Sequence, residues 1–133
     1  MEKYQELLNK AEEISKMAYC EYSKFPVGAC ILYENGKEYL GCNVENASYG
    51  LSLCAERNAM SSAIAQGEKT KIKAVAIYSP NQKECMPCGA CRQWISEFAI
   101  NEEETKIVLE GKDGGVLVLS LKDVFPYGFK LDK

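Results

Sequence analysis

The chain of 133 residues contains no histidine. Imidazole metal ligands and imidazole acid–base chemistry are therefore excluded. No apolar run approaches the roughly 20 residues that span a bilayer. The opening "MEKYQELLNKAEEISKM" is charged and amphipathic, without the apolar centre of a secretion signal. A cytoplasmic protein with no membrane partner is expected, its thiols kept reduced. Basic runs are missing as well. Sixteen lysines and arginines against nineteen acids leave a formal charge of −3, and no Lys/Arg cluster offers a surface for phosphates. Nucleic acid is therefore disfavoured as a partner, and so is a nucleotide substrate.

What the chain does have is cysteine. Seven is an odd number for a disulfide framework, and a chain this long buries enough core to need none. In a reducing compartment, clustered cysteines point to metal or to chemistry. Three of them, Cys85, Cys88 and Cys91, sit at three-residue intervals in "CMPCGACRQW", and Cys54 opens "CAERNA".

Periodicity places these strings. Tyr4, Leu7, Leu8, Ala11, Ile14 and Ala18 predict an amphipathic helix over 2–19. "VGACILY" (27–33) and "KEYLGC" (37–42) flank Asn35-Gly36, a hairpin signal. Residues 43–53 are rich in turn formers. A second helix is predicted from Cys54 to about Gln66, closed by Gly67. "IKAVAIYS" (72–79) reads as a central strand covered on both faces. A third helix follows over 89–99, then strands at 106–111 and 115–121 around Asp113-Gly114. The expected fold is α/β: a five-stranded mixed sheet with helices packed on it in three layers, a single domain over 1–133. The tail "FPYGFKLDK" carries Phe125, Tyr127 and Phe129, aromatics that call for a surface, such as another subunit.

On this reading Cys54 begins the second helix, while Cys88 and Cys91 lie in the first turn of the third. Helix N-termini favour thiolate over thiol. If the two starts converge, three thiolates repel one another unless a cation sits between them, and zinc suits such ligands. Glu56 can project into the same place and serve as a proton shuttle, although read alone it is an ordinary first-turn carboxylate. Arg57 can donate to the sulfurs and offset their excess charge, or simply lie on the surface.

"CAER" followed by "PCGACRQ" closely resembles the cytidine deaminase family, in particular its short homotetrameric members with three cysteine ligands. "YSKFPVGA" (22–29), "GCNVENASYG" (41–50) and the closing "FPYGF" extend the likeness over nearly the whole chain. The resemblance implies the cytidine-deaminase-like fold, with one zinc per subunit on Cys54, Cys88 and Cys91 and a water as fourth ligand. It implies Glu56 as proton shuttle, converting cytidine and deoxycytidine to uridine and deoxyuridine plus ammonia in pyrimidine salvage. It further implies Asn43 and Glu45 on the ribose 3′-hydroxyl, Phe25 against the pyrimidine face, and the backbone N–H of Ala55 on the 2-carbonyl. Phe125 would arrive from a neighbouring subunit, so that sites are shared within a homotetramer. Arg57 and Gln93 would act beside the ligands rather than on the metal, and Arg92 would serve the structure.

Met86 stands where many relatives have Ser or Thr, and Cys85 is no family ligand. Cys85 keeps open a closed four-sulfur site, hence a zinc-stabilised binding module without catalysis. Deaminases of base analogues, of the blasticidin S type, are the nearest enzymatic rivals. A thioredoxin-like use of Cys88-x-x-Cys91 is a further alternative, although its C-x-x-C should follow an early strand.

Overall fold

A computed structural model describes residues 1–132. Helix α1 (Glu2–Ser15) precedes a hairpin of β1 (Gly28–Tyr33) and β2 (Glu38–Cys42). One 3-10 turn, Tyr49–Leu51, interrupts the following loop. Then come α2 (Ala55–Ala65), β3 (Ile72–Tyr78), α3 (Gly89–Phe98), β4 (Lys106–Glu110), β5 (Val116–Ser120) and α4 (Leu121–Val124). The sheet order is β2-β1-β3-β4-β5. Only β3 and β4 run parallel; the other neighbours are antiparallel.

Side-chain alternation in β3 divides the core into two. Ala74 and Ala76 face Leu7, Leu8 and Ala11 of α1. Val75 and Ile77 face the other way, into a cluster with Ala59, Met60 and Ala63 of α2 and Ile95 of α3. The expected three layers and the doubly covered central strand are therefore present, because a strand buried on both faces has no polar side to offer.

Two glycines set how closely the layers approach. A Cβ on Gly28 would lie 2.0 Å from the Ala11 carbonyl oxygen of α1, and one on Gly41 would lie 2.4 Å from that of Ala55 in α2. The second contact seats the start of α2 directly on the end of β2.

The first helix stops at Ser15 rather than near residue 19. Tyr19 is taken elsewhere: its N–H donates to the Asn43 carbonyl at 3.0 Å, and its own carbonyl accepts from the Glu45 N–H at 2.8 Å. Residues 16–18 must turn to reach that bridge. The last predicted strand ends at Ser120, where a short helix begins instead. Ser120 Oγ accepts from the Asp123 N–H at 3.2 Å and Asp123 Oδ2 accepts from the Ser120 N–H at 2.9 Å, a reciprocal cap.

Candidate active site

Cys54 and Cys88 occupy equivalent places, the capping positions of α2 and α3. The sheet holds the two helix starts together. Cys54 Sγ lies 3.8 Å from Cys88 Sγ, and with Cys91, one turn into α3, the three sulfurs lie within 4.8 Å of one another. Each has a reason to be there. The Cys88 sulfur accepts from the Cys91 N–H at 3.4 Å, capping its helix as a serine would. Cys91 is fully buried beneath it.

The charge balance of this group is asymmetric. A hydrogen bond from Cys91, reinforced by Arg57 Nη2 at 3.4 Å, pulls the Cys54 thiol down to about 5 against the opposing effect of burial. The same partnership with Cys54, added to burial, pushes Cys91 up. Protein groups alone thus favour the thiolate of Cys54 and disfavour that of Cys91. The donor set fits a soft dication that would carry the others: Cys54, Cys88 and Cys91 would hold a zinc ion. Arg57 Nε is buried without a partner, and Nη2 turns this guanidinium to the Cys54 sulfur.

Glu56 projects from the first turn of α2 and is 3% exposed. Burial, with the Cys54 charge adding to it, pushes its carboxyl up to about 7. A carboxylic acid poised near neutrality can both take and give a proton.

Cys54, Cys88 and Glu56 line a cavity of about 360 Å³, a size suited to a small molecule, and Cys91 lies outside its lining. Its other walls include Phe25, Val27, Asn43, Glu45, Ser52, Ala55, Ile77, Cys85 and Met86. The cavity therefore brings together most residues anticipated from the sequence. Arg57 stands behind the sulfurs. Phe125 and Gln93 are not among the lining residues. Phe125 packs on its own subunit's core, and Gln93 exchanges two hydrogen bonds with the Phe129 backbone.

Asn43 and Glu45 do more than face the cavity. Asn43 Nδ2 donates to the Phe25 carbonyl at 2.9 Å and its Oδ1 accepts from the Val27 N–H at 2.9 Å, holding the loop that presents Phe25. Glu45 accepts from the N–H groups of Tyr22 and Ser23 at 3.1 and 3.0 Å, and from the Ser23 hydroxyl. The bonds from Ser23 and Tyr22 keep this carboxylate below its usual range. Ala55 begins α2, so its N–H has no acceptor within the helix. Cys85 lines the cavity but lies outside the metal-competent group; burial, with the charges of Glu56 and Cys54, pushes its thiol up to about 11. The four-sulfur arrangement is not formed among the described residues. Sequence reading passed over Val27, Ser52 and Ile77 as cavity walls. Val27 lies within the string "YSKFPVGA" and Ile77 near the end of the central strand, whereas Ser52 carries no local signal.

Taken together, a three-thiol group at paired helix starts and a buried carboxylate beside it, on an α/β/α sheet, define a hydrolase site of the zinc deaminase kind. The comparisons agree. The family described as "Cytidine and deoxycytidylate deaminase zinc-binding region" matches residues 1–105. A cytidine deaminase of Sporosarcina psychrophila is 44% identical over 94 residues, 71% of this chain and 68% of that protein. The crystal structure of cytidine deaminase from Burkholderia pseudomallei is 40% identical with a TM-score of 0.84, covering 94% of this chain and 98% of that one. A blasticidin-S deaminase of Bacillus cereus is 34% identical over 101 residues, 71% of each chain. This chain belongs to the cytidine and deoxycytidylate deaminase family and is a hydrolytic deaminase.

Proposed function

We propose that the protein deaminates cytidine, and deoxycytidine with it, to uridine and deoxyuridine plus ammonia, in the cytoplasm and in pyrimidine salvage. The observation that carries this reading is the placement of Glu56 with Cys54 and Cys88 in the lining of a cavity that Asn43 and Glu45 also line, the third thiol, Cys91, grouping with the other two. One zinc per subunit, held by Cys54, Cys88 and Cys91, would lower the pKa of a water and make it a nucleophile at neutral pH. Glu56 would carry one proton of the attacking water to ring nitrogen 3 and the second to the amino group, which leaves as ammonia. Its carboxyl is suited to this because burial has already lifted it toward neutrality.

The remaining residues place the base and sugar. Phe25 packs on the pyrimidine face, and the Ala55 N–H binds the 2-carbonyl. Asn43 spends one amide proton and one lone pair on the 25–27 loop, which leaves one of each for the ribose 3′-hydroxyl. Glu45, ionised and with a lone pair to spare after three donors, accepts from the same hydroxyl. Phe125 of a neighbouring copy closes the ribose and base pocket in a homotetramer. Exposed apolar side chains support assembly: Tyr49, Leu51 and Leu53 in the segment before α2, and Tyr127 and Phe129 in the tail.

A second reading, deamination of a blasticidin S-type analogue, is favoured by the 34% identity to a blasticidin-S deaminase over 101 residues. Incubating zinc-loaded protein with cytidine, deoxycytidine or blasticidin S and following ultraviolet absorbance separates the readings. Loss of the cytidine band with release of one ammonia per nucleoside is expected. Turnover of blasticidin S alone would overturn the nucleoside assignment.

A further inference from the structure

Arg92 and Gln93 end the string "PCGACRQ", yet neither belongs to the sulfur group or lines the cavity. Both turn toward the C-terminal segment. Arg92 Nε donates to the Pro87 carbonyl at 2.8 Å, and its Nη1 donates to the Val124 carbonyl at 2.6 Å. One planar guanidinium thereby joins the peptide just before Cys88 to the last residue of α4. Gln93 Nε2 donates to the Phe129 carbonyl at 2.8 Å, and the Phe129 N–H donates back to Gln93 Oε1 at 3.1 Å. Between these points Gly128 runs so close to α3 that a Cβ would come within 2.8 Å of Ser96 Oγ. The segment from Val124 to Phe129 is fastened along α3 within its own subunit.

We propose that Arg92 is a positioning residue for the metal ligand Cys88, with the docked C-terminal segment as its anchor. This rests on the zinc reading of the site. Cys88 is the exposed member of the three thiols and follows a loop without regular structure, residues 79–88, in which Glu84 adopts a left-handed φ of 50°. Pro87 has no N–H, so its carbonyl is the only backbone hydrogen-bonding group it offers to hold the loop. A charge-assisted bond to that carbonyl fixes the Pro87–Cys88 peptide plane, and with it the direction from which Cys88 leaves the loop. Arginine is required rather than lysine because its rigid fork reaches two carbonyls from one position. Gln93 keeps the second of those carbonyls in place by tethering the chain beyond it.

Partners behind metal ligands typically change metal affinity by about 10–100-fold. The test loads wild type, Arg92→Gln, Arg92→Lys and Gln93→Ala with zinc, then follows transfer of zinc to a coloured chelator beside thermal melting. The expected result is release about 10–100-fold faster in Arg92→Gln, with Arg92→Lys and Gln93→Ala intermediate. Glu68→Gln, destabilised at a site remote from the thiols, should release zinc at the wild-type rate. If Arg92→Gln does not fold, Arg92→Lys and Gln93→Ala carry the same test. Wild-type release rates in the folded Arg92 and Gln93 variants, or release that follows melting temperature across all variants including Glu68→Gln, would overturn the positioning role. A wild type that takes up no zinc would instead overturn the zinc reading, and the positioning role with it.

Discussion

Glu56 and Glu68 are both almost excluded from solvent, at 3% and 5% exposure, and the fold holds them in opposite states. Burial raises the carboxyl of each. Glu68 nevertheless sits down at about 2, because donors surround it. Thr70 gives its N–H at 2.9 Å and its hydroxyl at 2.6 Å, Tyr39 gives its hydroxyl at 2.9 Å, and Asn35 Nδ2 contacts both oxygens. Glu56 is helped by its own backbone N–H, the Cys91 thiol and the charge of Arg57. Burial and the neighbouring Cys54 charge outweigh them, and it rises to about 7. Donors, rather than depth, decide whether a buried carboxylate is locked or left able to exchange a proton. Glu68 is spent on tying the hairpin tip to the start of β3. Glu56 is left able to take and give a proton, as the proposed shuttle requires.

The sharpest way to break the catalytic half of this contrast is to remove the thiol group that Glu56 serves. Cys91→Ala should abolish zinc retention, and detectable deamination with it, as metal analysis and an ammonia assay would show. Arg57→Gln should be milder. Loss of the donor to Cys54 is expected to lower turnover by about 10–100-fold while zinc remains bound, measured as kcat at saturating nucleoside.

On the structural half, Glu68→Gln should lower stability by about 2 kcal/mol, which at this chain length moves the thermal midpoint by roughly 7 °C, with kcat unchanged. The sign of its pH dependence follows from a depressed folded pKa. The stabilisation from Glu68 is complete above the ordinary carboxylate value of 4.5 and is lost as pH falls toward about 2. Melting curves between pH 5 and pH 2.5 should therefore fall more steeply for wild type than for Glu68→Gln. The smallest effect belongs to the α4 cap. Ser120→Ala should cost about 1 kcal/mol, visible in urea denaturation.

Which of these features could be seen in the chain itself follows from how far apart the partners lie. The paired helix starts, Cys54, Glu56, Cys88 and Cys91 sit in short strings, and local periodicity was enough to place them. The central strand was legible because its whole length is apolar. The partners of Glu68 come from positions 35, 39 and 70, and nothing local joins them. Arg92 finds its second acceptor at Val124 for the same reason. The early end of α1 depends on Tyr19 pairing beside Val44, a contact made by tertiary structure against a continuing helical pattern. By contrast, the cap of α4 was written locally in Ser120 and Asp123, but the apolar run before it drew the strand one residue too far. The double duty of Asn43 and Glu45, facing the cavity while holding the 22–27 loop, needed the fold to be visible.

The central claim is that Glu56 and Glu68 divide chemistry from stability. It is tested most directly by measuring turnover and thermal midpoint together in zinc-loaded Glu56→Gln and Glu68→Gln. The account predicts a crossed result. Glu56→Gln should keep its zinc and its midpoint while losing about 10²–10⁴-fold in kcat, and Glu68→Gln should lose midpoint and keep kcat. A zinc-loaded Glu56→Gln protein that still turns over cytidine near the wild-type rate would contradict it.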